Sequence, residues 1–324
     1  MRITRRAVMG SIGAALLLMG AATSTSVSAQ DFPTKPIRFL TSAVGGSADI
    51  STRIVANALA PSLGQPVVVE NYPGGIIVAE NAKSAAADGY SLLYAGTSFM
   101  FAPFFSDTPY DPVADFAPVT IVAKSPAALV VNASVPVNTL QELIDLATSE
   151  PGALNYGSAT TGSGSHISME LFKNLAGIDI TRIAYSGGGP ALTALLGGEV
   201  QVLIADPGAV AGHVKSGDLK ALAITGTEES PLLPGVPTVD ATVPGYVWET
   251  IDGIWAPKGT PDDIVKLLNE KIVAAITSQD VTDKYFNNGL EIVGSTPEEL
   301  AARMDEDIAR VGKLVAEAGI TPDP

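Results

Sequence analysis

Four stretches of this chain gather Gly, Ser and Thr: Ala43-Val44-Gly45-Gly46-Ser47-Ala48-Asp49, Gly96-Thr97-Ser98-Phe99, the run from Tyr156 to His166, and Tyr185-Ser186-Gly187-Gly188-Gly189-Pro190. The third is the richest, with hydroxyls on Tyr156, Ser158, Thr160, Thr161, Ser163 and Ser165. Such residues are suited to holding an anion. Glycine lets the backbone come close, the free N–H groups at a helix start attract negative charge, and hydroxyls add donors. Acid/base and nucleophilic chemistry is thinly provided, because the chain has no cysteine and two histidines, His166 and His213. No Gly-x-Ser-x-Gly elbow or His-Glu-x-x-His occurs, and two distant histidines lack zinc-site spacing. The chain therefore reads as a binding protein, not an enzyme, with no catalytic residue, metal or cofactor.

Taken singly, each loop has a plainer reading. The first is neither a Walker A loop nor a dinucleotide fingerprint and serves equally as a tight strand-to-helix turn, in whose first helical turn Asp49 suits the helix dipole whatever the ligand. The third reads alternatively as a solvated loop with Ser165 as N-cap. His166, at a helix start, suits a hydrogen-bond donor or a packed side chain as well as a base. The enzymatic rival is an exported hydrolase using Ser163 or Ser165 with His166. Adjacent side chains there point in different directions, and no third residue orients the base.

The elements that must position these loops alternate. Strand patterns fall at 37–42, 67–70, 91–95, 119–123, 129–132, 154–157, 180–184, 200–205 and 219–225, with helical patterns at 49–63, 77–86, 140–149, 166–176, 190–197 and 209–216. This alternation predicts α/β lobes with largely parallel sheets. Each Gly/Ser/Thr stretch then follows a strand, at the sheet edge where such folds bind ligands, and the stretches fall on both halves of the chain. They describe two lobes facing each other across a cleft. Residues 261–318 read as two or three charged amphipathic helices with one short strand near 290–293, packing back on the first lobe. Thr139 with Glu142, and Thr296 with Glu299, form capping boxes, and Thr260 is expected to cap the next helix start in the same way. The expected lobes are 30–130 plus 254–324 and 131–253, joined by crossing strands near Val130 and Gly253.

The first thirty residues read as an export signal: Arg2, Arg5 and Arg6, an apolar stretch from Ala7 to Ala22, and small residues Val27-Ser28-Ala29 before a cleavage point. Mature protein then begins near Gln30, outside the cytoplasm. The Arg5-Arg6 pair leaves the export route open, and the absence of cysteine excludes a lipoprotein anchor. Losing the three arginines takes the formal net charge from -15 to -18, a poor surface for nucleic acid. That charge does not forbid an anionic ligand, since screening hides charges beyond ~8–10 Å and local N–H dipoles govern a site.

In order along the chain, these loops resemble the substrate-binding proteins of tripartite tricarboxylate transporters, the Bug family of periplasmic receptors. The likeness runs through Gly45-Gly46-Ser47-Ala48-Asp49, Leu63-Gly64-Gln65-Pro66-Val67-Val68-Val69-Glu70-Asn71, Asp88-Gly89-Tyr90, Asp115-Phe116-Ala117-Pro118-Val119, Leu154-Asn155-Tyr156-Gly157-Ser158, Pro190-Ala191-Leu192-Thr193 and Pro234-Gly235-Val236-Pro237-Thr238. The resemblance implies an α/β, two-lobed periplasmic binding protein of the Venus-flytrap kind. It would close on a small carboxylate (a dicarboxylate, amino acid or aromatic acid) and deliver it to a permease of one large and one small membrane subunit. A sensor touching a signalling protein would use the same fold. On the family pattern Gly45, Gly46 and Ser47 anchor the ligand with Thr97 and Ser98 beside them, while Ser158, Ser163, Ser165 and His166 close from the second lobe. Asp49 and Thr160 join the candidate ligand-binding residues as members of the same loops.

The chain departs from that pattern at positions that bear on the ligand. Tyr72 replaces an arginine, Ile76-Ile77 replace small residues, Ala48 replaces a threonine, and Ile251-Asp252 stand where an aromatic pair is usual. Ala205 occupies the place of a common aspartate, with Asp206 one residue later. If Asp206 and Asp252 line the cleft, they favour a group that donates hydrogen bonds, such as an amine or hydroxyl; each reads equally as a loop cap. Phe99 and Phe101 offer an apolar wall or ordinary core.

Overall fold

A computed structural model describes residues 32–287, 289–318 and 320. The expected signal peptide and mature terminus lie outside the described residues. The chain runs β1 (Ile37–Thr41), α1 (Ser47–Leu63), β2 (Val67–Asn71), α2 (Gly75–Lys83), β3 (Ser91–Gly96), α3 (Ser98–Phe105) and β4 (Phe116–Pro126) before it changes sheet. It continues through β5 (Ala128–Asn132), α4 (Leu140–Ser149), β6 (Asn155–Ser158), α5 (Gly164–Ala176), β7 (Thr181–Ala184), α6 (Gly188–Leu196), β8 (Val202–Ala205), α7 (Pro207–Ser216) and β9 (Leu219–Ile224). It then returns to the first sheet as β10 (Glu249–Pro257), followed by α8 (Asp262–Ile276), α9 (Gln279–Asn287), β11 (Glu291–Ile292) and α10 (Pro297–Ala318).

The strand orders are β11-β4-β10-β3-β1-β2 and β7-β6-β8-β5-β9. Parallel pairing joins β1 to β2 and β3, and β6 to β7 and β8. The expectation of largely parallel sheets fails elsewhere, since β10 and β11 pair antiparallel in the first sheet and β5 does so with both its neighbours. For β5 and β10 the reason is the crossing. A strand that arrives from the other lobe without a crossover helix enters its new sheet against the local direction. The passage out falls at Ala127 and the passage back between Ile224 and Glu249, and the strands found at Val130 and Gly253 are β5 and β10. We therefore divide the lobes by sheet membership.

Two elements escaped the sequence pattern. α3 (SFMFAPFF) is apolar almost throughout and contains Pro103, so it lacks the polar face that marks a helix. β10, which holds Asp252, Gly253 and Pro257, is expected only as a crossing strand near Gly253, without the alternating pattern that would give it bounds. The Thr296–Glu299 box is bonded in both directions, Glu299 N to Thr296 Oγ1 at 3.2 Å and Thr296 N to Glu299 Oε2 at 2.8 Å. Thr139 Oγ1 accepts from Glu142 N, whose own carboxylate reaches Asn138 N. Thr260 does not cap: its hydroxyl donates to Pro257 O at 2.8 Å, and Pro261 occupies the N-cap position.

The outer face of the first sheet packs Phe39 and Leu92 against Val55 and Leu59 of α1 and Ile264, Leu268 and Ile272 of α8. The largest core cluster joins both lobes, with Leu93 and Phe99 from one, Leu129 and Phe172 from the other, and Trp248 from the return passage. α10 adds Val311 and Leu314 to that shared core. Its polar side fixes the passage, as Arg310 donates to Val247 O at 2.7 Å and Arg303 to Glu249 O at 3.1 Å, with buried Asp307 bonded to both guanidiniums.

Candidate functional site

The first Gly/Ser loop is built around Asp49. Its Oδ2 accepts Gly45 N–H at 2.9 Å, while its Oδ1 accepts Asn71 Nδ2 at 2.8 Å and meets Arg53 at 2.9 Å. Asn71, at the end of β2, also donates to Ser42 O at 2.7 Å. The Gly45 N–H first, then Asn71 and Arg53, hold the Asp49 carboxyl down at about 2. Asp49 thus faces its own loop and lines none of the cavities below. Gly45, at φ +84°, takes the left-handed conformation that lets its N–H meet this carboxylate. Gly46 N is turned to Ala43 O at 3.3 Å, so neither glycine lines the cleft. The first intrahelical bond of α1 is Ile50 N to Gly46 O, which leaves the N–H groups of residues 47–49 at the helix end. Ser47 and Ala48 line a cavity of about 410 Å³ with Gly96, Ser98, Tyr110 and Asp252.

Thr97 and Ser98 open α3. Both border a cavity of about 200 Å³, but the Thr97 hydroxyl is spent on β10, accepting Ile251 N–H at 2.7 Å and donating to Ile251 O at 3.3 Å, while Ser98 also lines the cavity of about 410 Å³. Phe99 stacks on Tyr110 and meets Phe116 and Trp255, so its main role is core packing; Phe101 packs on Trp248 at 5.9 Å between ring centres.

In the second lobe, Ser163, Gly164 and Ser165 at the start of α5, Gly188 and Gly189 at the start of α6, and Asp206 and Ala209 at the start of α7 surround a cavity of about 370 Å³. Three helix N-termini therefore converge on one space, whose remaining wall includes Leu192, Leu203, Ile204 and Trp248. Ser163, not Ser165, is the N-cap, accepting His166 N–H at 3.3 Å; Ser165 Oγ accepts Ala159 N–H at 3.1 Å. Buried His166 accepts Gly162 N–H on Nδ1 at 3.1 Å and lines none of these cavities. Ser158 is fully buried beneath the loop, where its Oγ accepts Arg182 Nε at 2.7 Å. Thr160 is exposed and away from the cavities. Arg182, which reaches Thr161 Oγ1 and Ala159 O as well, is the brace that loop composition did not reveal.

Between these spaces lies a cavity of about 320 Å³ lined by Ser47, Ile50, Ser51, Thr250, Asp252 and Leu290 from the first lobe's elements, by Asp206 from the second, and by Ser125 at the passage out. Both singled-out aspartates thus face the cleft. Asp252 accepts the Tyr94 hydroxyl on Oδ2 at 3.1 Å, and burial pushes its carboxyl up to about 6 against that bond. Asp206 opens to water through the cleft while protein encloses it on its other sides, which raises it too. It precedes α7 without making a side-chain cap bond. Ser125, Trp248 and Thr250 belong to the crossing segments and carried no loop signal in the sequence.

Two α/β lobes with a cleft edged by helix N-termini from both have the architecture of a two-lobed solute-binding protein. The chain belongs to the tripartite tricarboxylate transporter receptor family: residues 51–320 match that family, TctC. It is 36% identical to protein BugT of Bordetella pertussis over 311 residues, covering 94% of this chain and 95% of BugT. Among solved structures, it resembles Rpa4515 of R. palustris with adipate at TM-score 0.74 and 33% identity, covering 90% of this chain and all of the other. It also resembles MatC of Rhodopseudomonas palustris with bound malate, at TM-score 0.71 and 31% identity, covering 88% and 100%.

Proposed function

We propose that the protein is an extracytoplasmic receptor that takes a small carboxylate into the cleft between its lobes and delivers it to a tripartite tricarboxylate transporter permease. The observation that carries this reading is the cavity of about 320 Å³ to which Ser47 and Asp252 contribute from one lobe and Asp206 from the other. A ligand touching both walls binds the closed arrangement better than the open one, which is the condition for ligand-driven closure. The adipate and malate held by the two solved relatives support a carboxylate as the ligand class.

The helix ends supply what a carboxylate needs. Ser47 and Ser98 stand at the starts of α1 and α3, and Ser163, Ser165, Gly188 and Gly189 at those of α5 and α6. N–H groups and hydroxyls placed there favour negative charge without a cationic side chain. The leader at residues 1–29 fits export to the periplasm, and the membrane partners are the large and small permease subunits.

The test uses the mature chain, refolded to strip co-purified ligand. Mono-, di- and tricarboxylates, aromatic acids and amino acids are screened by thermal shift, and hits by small-angle scattering. One class should raise the melting temperature by several degrees and reduce the radius of gyration. Failure of every carboxylate to stabilise the protein would overturn the reading.

A further inference from the structure

We infer that the ligand carries a protonated amine as well as a carboxylate, and that the amine is held in the cleft between Asp252 of the first lobe and Asp206 of the second. The inference rests on the receptor reading above and narrows its substrate class.

Across these four neighbouring cavities every described lining residue is neutral except Asp206 and Asp252; among the described residues no Lys, Arg or His lines any of them. Both acids line the same central cavity from opposite sides. Neither is used up by the fold. Asp252 meets the Tyr94 hydroxyl through one oxygen, and Asp206 makes neither a cap bond nor an ion pair among the described residues. Asp49 shows the contrast, with both oxygens committed to its own loop.

A simple dicarboxylate would bring two negative charges into a space already holding two, where restricted solvent strengthens the repulsion. The helix N-termini can hold a carboxylate at either end of the cleft, but they do nothing for the acids in the middle. An ammonium group there supplies up to three hydrogen-bond donors and a compensating charge, and its contact with both lobes adds to closure. Burial pushes the Asp252 carboxyl up, the state expected of an acid awaiting such a partner, while the exposed Asp206 borders the same space. The apolar wall of Leu192, Leu203, Ile204 and Trp248 leaves room for a hydrocarbon portion.

The experiment compares matched ligands on the full mature chain by calorimetry at pH 7.5: aspartate against malate, glutamate against 2-hydroxyglutarate, 6-aminohexanoate against adipate, and the remaining standard amino acids against their hydroxy analogues. At least one amino compound should bind at least tenfold tighter than its amine-free match. Asp206→Asn and Asp252→Asn should each reduce that preference tenfold while the chain keeps its circular dichroism and cooperative melting. If amine-free acids bind and their amino matches do not, or if neither variant alters the preference, the inference is overturned and the receptor reading stands. If no compound of either series binds, the carboxylate reading falls and the inference with it.

Discussion

Replacing Asp252 by Asn should make the ligand-free protein more stable at neutral pH, and the size of the gain follows from the carboxyl's surroundings. The folded value of about 6 lies above the ordinary 3.8. Such a group favours folding fully below 3.8, and that advantage is lost as pH rises through 6, because the unfolded chain ionises first. The difference of about 2 units corresponds to about 3 kcal/mol as a ceiling, and water entering the cleft lowers the expectation to about 1–3 kcal/mol. The charged or titratable groups facing Asp252 are Tyr94, Tyr285 and, across the cavity, Asp206. Urea unfolding of both proteins between pH 4 and 7.5 should give near-equal stability at the acid end and a variant advantage growing to about 1–3 kcal/mol above pH 7. A variant no more stable than the parent at pH 7.5, with a difference independent of pH, would refute the reasoning.

Asp49→Ala removes three contacts from the first loop and should cost about 1–3 kcal/mol in urea unfolding; since the carboxyl titrates at about 2, the cost should be full above pH 4 and shrink only as pH falls towards 2. Gly162→Ala meets two obstacles, a φ of +79° and a Cβ placed 2.5 Å from the Phe105 ring, and should lower stability by about 1–3 kcal/mol in thermal melts, with Phe105→Ala relieving only the steric part. The chain has two tryptophans, of which Trp248 lines the cleft and Trp255 is fully buried with its N–H on Met304 Sδ. Ligand-induced change in emission should therefore persist in Trp255→Phe and vanish in Trp248→Phe.

Much of the fold was legible because α/β periodicity is a local property. The helix from Leu140 to Ser149 carries its apolar stripe and its capping Thr139 in consecutive residues. What escaped depends on distant partners. The crossing strands pair antiparallel because of where the chain arrives from, and nothing within Glu249–Pro257 records that. The site divides in the same way. Ser47, Ser98, Ser163 and Ser165 could be placed by loop chemistry, since a hydroxyl at a helix start is a local signal. Asp49, Thr97, Ser158 and His166 carry the same signal but turn their polar atoms into the scaffold, and only the positions of Asn71, Ile251, Arg182 and Gly162 distinguish them.

The position of Trp248 ties the cleft to the hinge. The residue lines the cavity edged by the second-lobe helix ends, packs on Phe101 of α3, and lies between Val247 and Glu249, whose carbonyls accept from Arg310 and Arg303 of α10. Asp307, bonded to both arginines, holds the pair in place. Thr250 one step further lines the central cavity, and its methyl approaches the Gly164 position at the start of α5. On the proposed reading, a ligand in the cleft would touch the segment that returns the chain to the first lobe. Since a ligand shifts a conformational equilibrium only by its differential affinity for the two states, a contact on the return passage favours closure only to the extent that it tightens when the lobes come together.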